Sequence, residues 1–241
     1  MSGSESELML SMHDAEVPVL TLDGPSGAGK GTVARLVSER LHWHLLDSGA
    51  IYRVLALSAE RGGIAIDDVA ALRGIACTMV VDFRLDERGK PQVLLDGDDV
   101  TNAIRSEACG KRASHVAVLS AVRGALLQCQ RAFRRPPGLV ADGRDMGTVV
   151  FPDALVKIYL TASVEERARR RYNQLIGQGI GDNLPAILKD IEARDVRDCT
   201  RAVSPLIPAP DAVVVDTTRK SVEAVVDMVL SQIRRRSGCA P

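Results

Sequence analysis

A glycine-rich stretch with the sequence DGPSGAGKGT, residues 23–32, lies between an apolar run and a helical pattern. The apolar run covers residues 17–22 and predicts a buried strand, whereas the pattern over residues 33–41 predicts a helix. A strand that turns through glycines into a helix points several backbone N–H groups, and the positive end of the helix dipole, at one small volume. The sequence therefore predicts a strand–loop–helix unit that binds a polyphosphate.

The residues of this loop divide into backbone and side-chain roles. Glycines at three positions allow positive φ and a close approach to an anion. Lys30 supplies a mobile positive charge for the β and γ phosphates, and Thr32 is a candidate hydroxyl ligand for Mg²⁺. The general pattern places Ser or Thr directly after the lysine, whereas Gly31 intervenes here. The alternative is a glycine-rich turn without a ligand. The predicted ATP-binding residues are Gly24, Pro25, Ser26, Gly27, Ala28, Gly29, Lys30, Gly31 and Thr32.

The composition favours one large α/β unit. The chain has 241 residues, with 46% hydrophobic and only 3% aromatic residues, so Ala, Val, Leu and Ile must build the core, as in a parallel sheet covered by helices. Lys and Arg total 31, and Asp and Glu also total 31. A net charge of zero gives no long-range field of the kind that marks nucleic-acid or membrane-surface proteins, so neither partner is expected.

The cysteines and the N-terminal residues predict a cytoplasmic protein. The five cysteines form no CxxC pair and no metal-ligand spacing with the four histidines, so we expect reduced thiols. No segment is apolar for long enough to span a bilayer. Residues 1–16 are rich in Ser and Glu, lack a signal-peptide pattern and are expected to form a disordered tail.

Five short apolar runs alternate with helical patterns, which predicts a parallel sheet wound by βαβ units. The predicted strands cover residues 17–22, 44–47, 139–142, 156–160 and 212–216. The predicted helices cover residues 33–41, 50–61, a segment that begins near Asp67 and is capped by its side chain, 106–135 with a break near Ser120, a segment opened by Ser163 and Glu166, 185–201 and 221–236. In residues 78–100 the sequence pattern changes to the period of an extended chain, with turns at 86–89 and 96–98. This pattern predicts a small antiparallel insert. Strand order cannot be inferred from one sequence.

Polar residues follow two of the predicted strands, where the carboxyl ends of parallel strands gather ligands. The segment 47–53 places Arg53 one helical turn beyond Gly49, within reach of a ligand above the sheet; a solvated helix arginine is the alternative. The segment 141–148 follows the third predicted strand. Asp142 closes that strand, at the position where P-loop enzymes commonly keep a carboxylate for Mg²⁺ or its waters. Arg144 and Asp145 follow, and a plain loop ion pair is the alternative for them.

Two helical faces carry clustered arginines. The first face holds three arginines at i, i+3 and i+4, and the second holds Arg–Asp–Arg at i, i+4 and i+7. These residues are Arg167, Arg170 and Arg171, then Arg194, Asp198 and Arg201. The two helices flank a glycine-bearing stretch at 177–181, expected to be flexible, so they predict a lid that closes over phosphates and excludes water. The alternative is a salt-bridged exposed helix pair with nearby Glu and Asp residues.

Together these motifs resemble those of the bacterial cytidylate kinases, a branch of the nucleoside monophosphate kinase family. The resemblance is carried by residues 23–32, by LDSGAIYR at 46–53, by ADGRDMGTVVFPD at 141–153 and by the charged run at 194–203. It extends from about residue 17 to residue 236 and is weakest in the insert. Gly31, which departs from the general phosphate-loop pattern, is the residue that this family has.

The resemblance implies a P-loop kinase with a core domain, a monophosphate-binding domain and a short lid. The core would comprise residues 17–48, 136–162 and 203–236, the CMP-binding domain residues 49–135 with the insert 77–100, and the lid residues 163–202. The implied reaction is transfer of the γ-phosphoryl group of ATP to CMP or dCMP with Mg²⁺, by a monomer.

The resemblance also assigns residues by position. The implied cytosine contacts are Ser48, Arg123, Asp145 and Arg201; the sugar contacts are Ser114, Arg194 and Asp198; and the acceptor-phosphate contacts are Arg53 and Arg144. Lys30, Arg144 and Arg171 would be catalytic, and Thr32 and Asp142 would serve the metal, the latter through water. The assignment of Asp145 has independent chemical support, because a carboxylate accepts from the exocyclic amine of cytosine and faces the carbonyl of uracil unfavourably.

Two other functions remain compatible with the loop. One is a P-loop kinase for another nucleoside monophosphate or for a non-nucleotide acceptor. The other is a nucleotide-dependent switch protein, which should lack acceptor-side arginines. Arg53, Arg144 and Arg194 argue against the switch protein.

Overall fold

The protein is described by a computed structural model that covers residues 17–85, 87, 91–177 and 183–236. The predicted tail at 1–16, most of the turn at 86–89 and most of the stretch at 177–181 lie outside these residues. Within them, no helix is both long enough and apolar enough to cross a membrane. The described cysteines, Cys77, Cys109, Cys129 and Cys199, are all free.

The strands and helices follow the predicted alternation. In chain order the strands are β1 (Val19–Asp23), β2 (His44–Asp47), β3 (Val81–Leu85), β4 (Pro91–Leu95), β5 (Asp98–Asp99), β6 (Leu139–Asp142), β7 (Val156–Thr161) and β8 (Val213–Asp216). The helices are α1 (Lys30–Leu41), α2 (Ser48–Arg61), α3 (Val69–Thr78), α4 (Glu107–Val116), α5 (Ser120–Arg131), α6 (Val164–Gly177), α7 (Leu184–Thr200) and α8 (Val222–Arg236).

Five strands form one parallel sheet in the order β2-β6-β1-β7-β8. All five residues of β1 are buried, as expected for a central strand covered on both faces. β1 pairs in parallel with β6 and with β7, so the loops that follow β1 and β6 leave the same edge of the sheet side by side. The five-stranded parallel sheet is confirmed, and its order brings residues 23–32 next to residues 142–148.

Three groups of buried apolar side chains stabilise the molecule. One packs α1 and α8 against one face of the sheet, for example Val33 and Val226 against Leu22. A second fills the opposite face and the helices α2 to α5. The third is small and lies between α6 and α7, where Leu175 packs with Ile187. The two helices of the predicted lid therefore have an apolar contact of their own.

Two local predictions are wrong. The cap of α3 is Asp68 rather than Asp67, because Asp68 directly precedes the first helical residue and its carboxylate accepts a hydrogen bond from the Ala71 N–H at 2.9 Å. The insert also differs: Thr78 ends α3 instead of opening a strand, and Asp98 begins the strand β5 instead of belonging to the turn. Asp96 and Gly97, both with positive φ, make that turn alone, so the chain folds back at once and pairs β5 with β4.

Candidate functional site

The glycine-rich loop joins the end of β1 to the start of α1 and depends on glycine geometry. Gly24, Gly27 and Gly29 have φ of 141°, 81° and 91°, values that side-chain-bearing residues rarely adopt. A Cβ atom on Gly24 would lie 1.9 Å from the carbonyl oxygen of Leu160 in the neighbouring strand. The loop can therefore lie this close to the sheet, with α1 pointing its N-terminus into the space above, only with glycine at this position.

Lys30 and Asp142 form a buried pair at the base of the loop. The ammonium of Lys30 donates to the carbonyl oxygen of Pro25 at 2.9 Å, and its Nζ lies 4.0 Å from Oδ1 of Asp142. Burial, assisted by the charge of Arg144, lowers the pKa of Lys30. Burial likewise raises the pKa of Asp142, against the opposing effect of Lys30. An anion bound in the loop would favour the charged form of Lys30.

Asp23 is a member of the site that the sequence reasoning missed. Its two carboxylate oxygens accept hydrogen bonds from the N–H groups of Met146 and Gly147, each at 2.8 Å. These two residues open a single π-helical turn, Met146–Val150, directly after Arg144 and Asp145. Burial raises the pKa of Asp23 to about 6 although both hydrogen bonds lower it. The end of β1 thus holds the start of this turn in place. The only signal was an acidic residue ending an apolar strand.

Asp145, Arg123 and Arg201 come together in a buried cluster. Nη2 of Arg123 donates to Oδ2 of Asp145, and Nη2 of Arg201 lies 3.9 Å from the other carboxylate oxygen. Arg123 also donates to the carbonyl oxygen of Ala117 at 3.1 Å and lies over the ring of Tyr52, 5.6 Å from its centroid. Tyr52, which the sequence reasoning did not single out, therefore orients Arg123 by a cation–π contact.

Ser48 lies at the start of α2, and its hydroxyl reaches α5. Its Oγ donates to Oε1 of Gln130 at 3.1 Å, and both side chains are buried. Gln130 was also missed, since a glutamine within an amphipathic helix carries no signal of a buried contact.

Arg144 and Asp198 form an ion pair that connects the loop after β6 to α7. Nε of Arg144 donates to Oδ2 of Asp198 at 3.0 Å. Burial opposes ionisation of Asp198, yet Arg144 and Arg194 hold its pKa below the ordinary value. Burial and the nearby Arg144 lower the pKa of Arg194 to about 10. The site therefore concentrates positive charge that a bound phosphate would neutralise.

Two predicted residues lie on the helices opposite the loop. Nη1 of Arg53 donates to the carbonyl oxygen of Ile104 at 2.7 Å and to that of Ser106 at 3.3 Å. A Cβ on Gly110 would lie 2.8 Å from Nη2 of Arg53, so this glycine leaves room for the guanidinium. The hydroxyl of Ser114, one turn further along α4, donates to the carbonyl oxygen of Gly110 at 3.0 Å.

Several buried guanidinium nitrogens in the described part of the chain have no hydrogen-bond acceptor. They are Nε of Arg123, Nε of Arg194, Nε of Arg197 and Nη2 of Arg201. Buried donors in native proteins are nearly always paired, so their clustering indicates a site for an acceptor-rich ligand. Arg197 is a further residue that the sequence reasoning did not select.

The three arginines of α6 have different partners. Arg167 makes two hydrogen bonds to Asp195 on α7, at 3.0 and 2.6 Å, and donates to the carbonyl oxygen of Ser26 at 3.2 Å. Arg170 contacts Glu166 at 2.8 Å and the carbonyl oxygen of Thr217 at 2.7 Å. Arg171 instead forms an ion pair with Glu107 on α4. The alternative interpretation of the two arginine faces is a pair of exposed helices joined by salt bridges. Arg167 does form such an inter-helix salt bridge, but its side chain is buried rather than exposed.

A cleft of about 1180 Å³ opens between the glycine-rich loop, α4, α6 and α7. The predicted residues on its walls are Ser26, Gly27, Ala28, Gly29, Thr32, Arg53, Ser114, Arg171 and Arg194. The predicted residues outside its lining are Gly24, Pro25, Lys30, Gly31, Ser48, Arg123, Asp142, Arg144, Asp145, Asp198 and Arg201. The cleft is large enough for a nucleotide.

The described residues contain no group of three or more His, Cys, Asp or Glu side chains that could hold a metal ion. Mg²⁺ is commonly bound through one or two protein ligands together with substrate phosphates and water. Thr32, exposed on the cleft wall, and Asp142, beside Lys30, fit that limited demand.

Comparison with known proteins places the chain in one family. The family model described as cytidylate kinase matches residues 20–235. A cytidylate kinase of Pseudomonas putida (strain W619) is 54% identical over 92% of this chain and 98% of the relative. The cytidylate kinase of Pseudomonas paraeruginosa is 56% identical, over 90% of this chain and 95% of the relative. That of Marinomonas sp. is 53% identical, over 89% and 95%. The chain therefore belongs to the cytidylate kinase family.

Proposed function

We propose that this protein transfers the γ-phosphoryl group of ATP to CMP or dCMP, giving ADP and CDP or dCDP. Its family supports the reaction class, and the names of its relatives support CMP as the acceptor. The observation that carries the proposal in the structure is the buried Asp145, held by Arg123 and near Arg201, on the loop next to the glycine-rich loop. A carboxylate fixed in this way accepts a hydrogen bond from the amine of cytosine and disfavours the carbonyl of uracil.

The other acceptor contacts follow from the same arrangement. Ser48, Arg123 and Arg201 would complete the cytosine pocket with Asp145. Ser114, Arg194 and Asp198 would hold the sugar. Arg53 and Arg144 would hold the acceptor phosphate, whose negative charge would relieve the mutual repulsion of Arg144 and Arg194.

The chemistry asks the protein mainly for alignment and charge neutralisation. Lys30, Arg144 and Arg171 are the proposed catalytic residues. Lys30 lies at the base of the donor loop, and Arg144, on the loop after β6, donates to Asp198 of α7. Arg171, in an ion pair with Glu107 here, would exchange this partner for phosphate oxygens when ATP binds. The acceptor phosphate is itself a nucleophile, so no catalytic base is needed.

We propose Mg²⁺ as the metal cofactor. Thr32 would serve it through its hydroxyl, and Asp142 through a water molecule. When bound, the ion would neutralise charge on the ATP phosphates. Lys30 and the loop N–H groups would hold the donor phosphates in either case.

The remaining proposals concern organisation and location. We propose that residues 17–48, 136–162 and 203–236 act as the core, residues 49–135 as the CMP-binding domain and residues 163–202 as the lid. We further propose a cytoplasmic monomer that acts in pyrimidine nucleotide metabolism.

The decisive experiment is ADP formation from ATP and Mg²⁺ with CMP, dCMP, UMP and AMP in parallel. We expect CMP and dCMP to give the highest kcat/KM. Stimulation by AMP or by UMP alone would indicate a P-loop kinase for another acceptor, and slow hydrolysis without any acceptor effect would indicate a switch protein. Family membership disfavours both alternatives.

A further inference from the structure

Gln130 is a buried glutamine that contacts Ser48, one of the residues of the proposed cytosine pocket. Only 2% of its surface is exposed. It lies on α5, where its Oε1 accepts the hydroxyl hydrogen of Ser48 at 3.1 Å. Arg123 lies seven residues earlier on the same helix, and this spacing puts both side chains on one helical face. α5 therefore supplies the partner of Ser48 and also the partner of Asp145.

The orientation of the Gln130 amide is fixed by a second hydrogen bond. Its Nε2 donates to the carbonyl oxygen of Leu126, one turn earlier in α5, at 3.3 Å. A backbone carbonyl can only accept, so the NH₂ group must face Leu126 and the oxygen must face Ser48.

This orientation determines what Ser48 can offer to a substrate. A serine hydroxyl has one hydrogen to donate and two lone pairs that accept. Because Gln130 takes the hydrogen, Ser48 presents lone pairs alone. The carboxylate of Asp145, which accepts a hydrogen bond from Arg123, also presents only acceptors.

The two acceptors, the Ser48 hydroxyl and the Asp145 carboxylate, match the hydrogen-bonding groups of cytosine and oppose those of uracil. The exocyclic amine of cytosine carries two N–H donors, whereas uracil has at the same position a carbonyl oxygen with lone pairs only. We infer that Gln130 is a specificity-determining positioning residue, which fixes the Ser48 hydroxyl as an acceptor so that the pocket selects an aminopyrimidine over a ketopyrimidine. The inference rests on the proposed function, because it requires the base to face Ser48.

The test compares kcat/KM for CMP and UMP in the wild type, Gln130→Met, Ser48→Ala and the double variant. Met fills the site of Gln130 but replaces its amide oxygen by a thioether, which is only a weak acceptor, so the Ser48 hydroxyl can turn and donate to uracil. We expect the preference for CMP over UMP to narrow on the order of tenfold, the effect of about one hydrogen bond, largely through better use of UMP. Gln128→Met, an exposed glutamine of the same helix, should leave the ratio unchanged.

Coupling between the two positions separates a positioning role from a merely structural one. If Gln130 acts through Ser48, Gln130→Met should not change the ratio further in the Ser48→Ala background. An unchanged ratio in Gln130→Met, or an equal change with and without Ser48, would overturn the inference.

A second measurement covers the case in which Gln130→Met does not fold. Ser48→Ala should lower kcat/KM for CMP without lowering it for UMP, since an acceptor-only hydroxyl assists only the amine. Equal losses for both nucleotides would overturn the inference. Failure of the wild type to form ADP with CMP would instead remove the proposed function itself.

Discussion

The buried ammonium of Lys30 lies where the glycine-rich loop meets Asp142. Lys30→Met keeps the length of the side chain but removes its charge and its hydrogen bond to Pro25. We expect kcat to fall about 10²- to 10³-fold, as when one preorganised donor to the transition state is lost. Steady-state kinetics with ATP and CMP measures this. Arg40→Met is the control, because it removes a cation of the same helix that is paired at the surface with Asp227. Near-wild-type turnover of Lys30→Met would show that Lys30 is not a catalytic residue.

Asp145 provides a direct test of base recognition. Asp145→Asn keeps the shape of the side chain but replaces one acceptor oxygen by an NH₂ donor, which can face the carbonyl of uracil. We expect the kcat/KM ratio of CMP to UMP to narrow by about tenfold or more, since a site built for a polar partner discriminates strongly. Asp67→Asn, at an exposed position, serves as the control. A kcat/KM ratio that stays at the wild-type value would show that Asp145 does not recognise the base.

The carboxyl of Asp23 links pH to stability. Its pKa rises from the ordinary 3.8 to about 6 in the folded protein, chiefly by burial. The folded state therefore binds this proton more tightly than the unfolded chain, and its contribution to stability increases as the pH falls from about 6 to 3.8. Relative to Asp23→Asn, we expect the wild type to gain about 2–3 kcal/mol in free energy of unfolding between pH 7 and pH 4.

Urea unfolding of both proteins at pH 7, 6, 5 and 4 measures the difference. Taking the difference between the two proteins removes the titration of groups that they share, including Asp198. Parallel stability curves would show that Asp23 has an ordinary pKa in the folded protein.

Single residues also show where sequence reasoning succeeds. Arg123, Asp145 and Arg201 lie far apart in the chain, and positional resemblance selected them before the structure brought them together. Asp23 and Gln130 could not be found in that way, because their roles depend on particular tertiary contacts: Asp23 accepts from two backbone N–H groups, of residues 146–147, and Gln130 accepts from Ser48. Such contacts leave no periodic or compositional pattern in the sequence.

At the scale of elements, strands and helices could be predicted because hydrophobic period and turn residues are local signals. The order β2-β6-β1-β7-β8 could not, because it depends on which strands pair across long crossovers. The choice of Asp68 over Asp67 as the cap of α3 depends on the residue at which the helix begins, and two adjacent aspartates give the same signal in the sequence. The two-residue strand β5 is too short to show a period of its own.

Arg167 joins α6 and α7, the helices of the proposed lid, to the rest of the molecule. This buried side chain binds Asp195 on α7 and the carbonyl oxygen of Ser26 in the glycine-rich loop. Arg167→Met leaves the Asp195 carboxylate, still 21% exposed, without its partner. We expect a loss of roughly 2–4 kcal/mol in free energy of unfolding, at or below the range for breaking a buried ion pair because water can reach Asp195.

Chemical denaturation of Arg167→Met and Arg169→Met gives the comparison. Arg169 is two residues further along α6, with 62% of its side chain exposed in a pair with Glu166, and its loss should cost less than about 1 kcal/mol. Equal effects of the two substitutions would show that Arg167 does not join the lid to the core.

At the scale of the whole molecule, two ion pairs cross the cleft. Glu107 and Lys111, one turn apart on α4, contact Arg171 of α6 and Asp190 of α7, and all four side chains line the cleft. The Lys111–Asp190 distance is 3.0 Å, and both side chains are more than half exposed. These pairs therefore favour the approach of α6 and α7, the helices of the proposed lid, to α4 without fixing it.

Reversing one of these charges should shift the balance between open and closed forms. Lys111→Asp places two carboxylates opposite each other, so we expect the KM values for ATP and CMP to rise about two- to fivefold, in keeping with the small energy of an exposed pair. The double variant Lys111→Asp/Asp190→Lys restores opposite charges and should recover most of the loss. Because surface charges are screened, the effect of Lys111→Asp should shrink between 0.05 and 0.5 M salt, at roughly the Debye lengths of 14 and 4 Å. Arg73→Asp, an equal charge change at an exposed position on α3, should leave both KM values near the wild type. If the KM values rise as much in Arg73→Asp as in Lys111→Asp, the cause is the change in net charge rather than closure across the cleft.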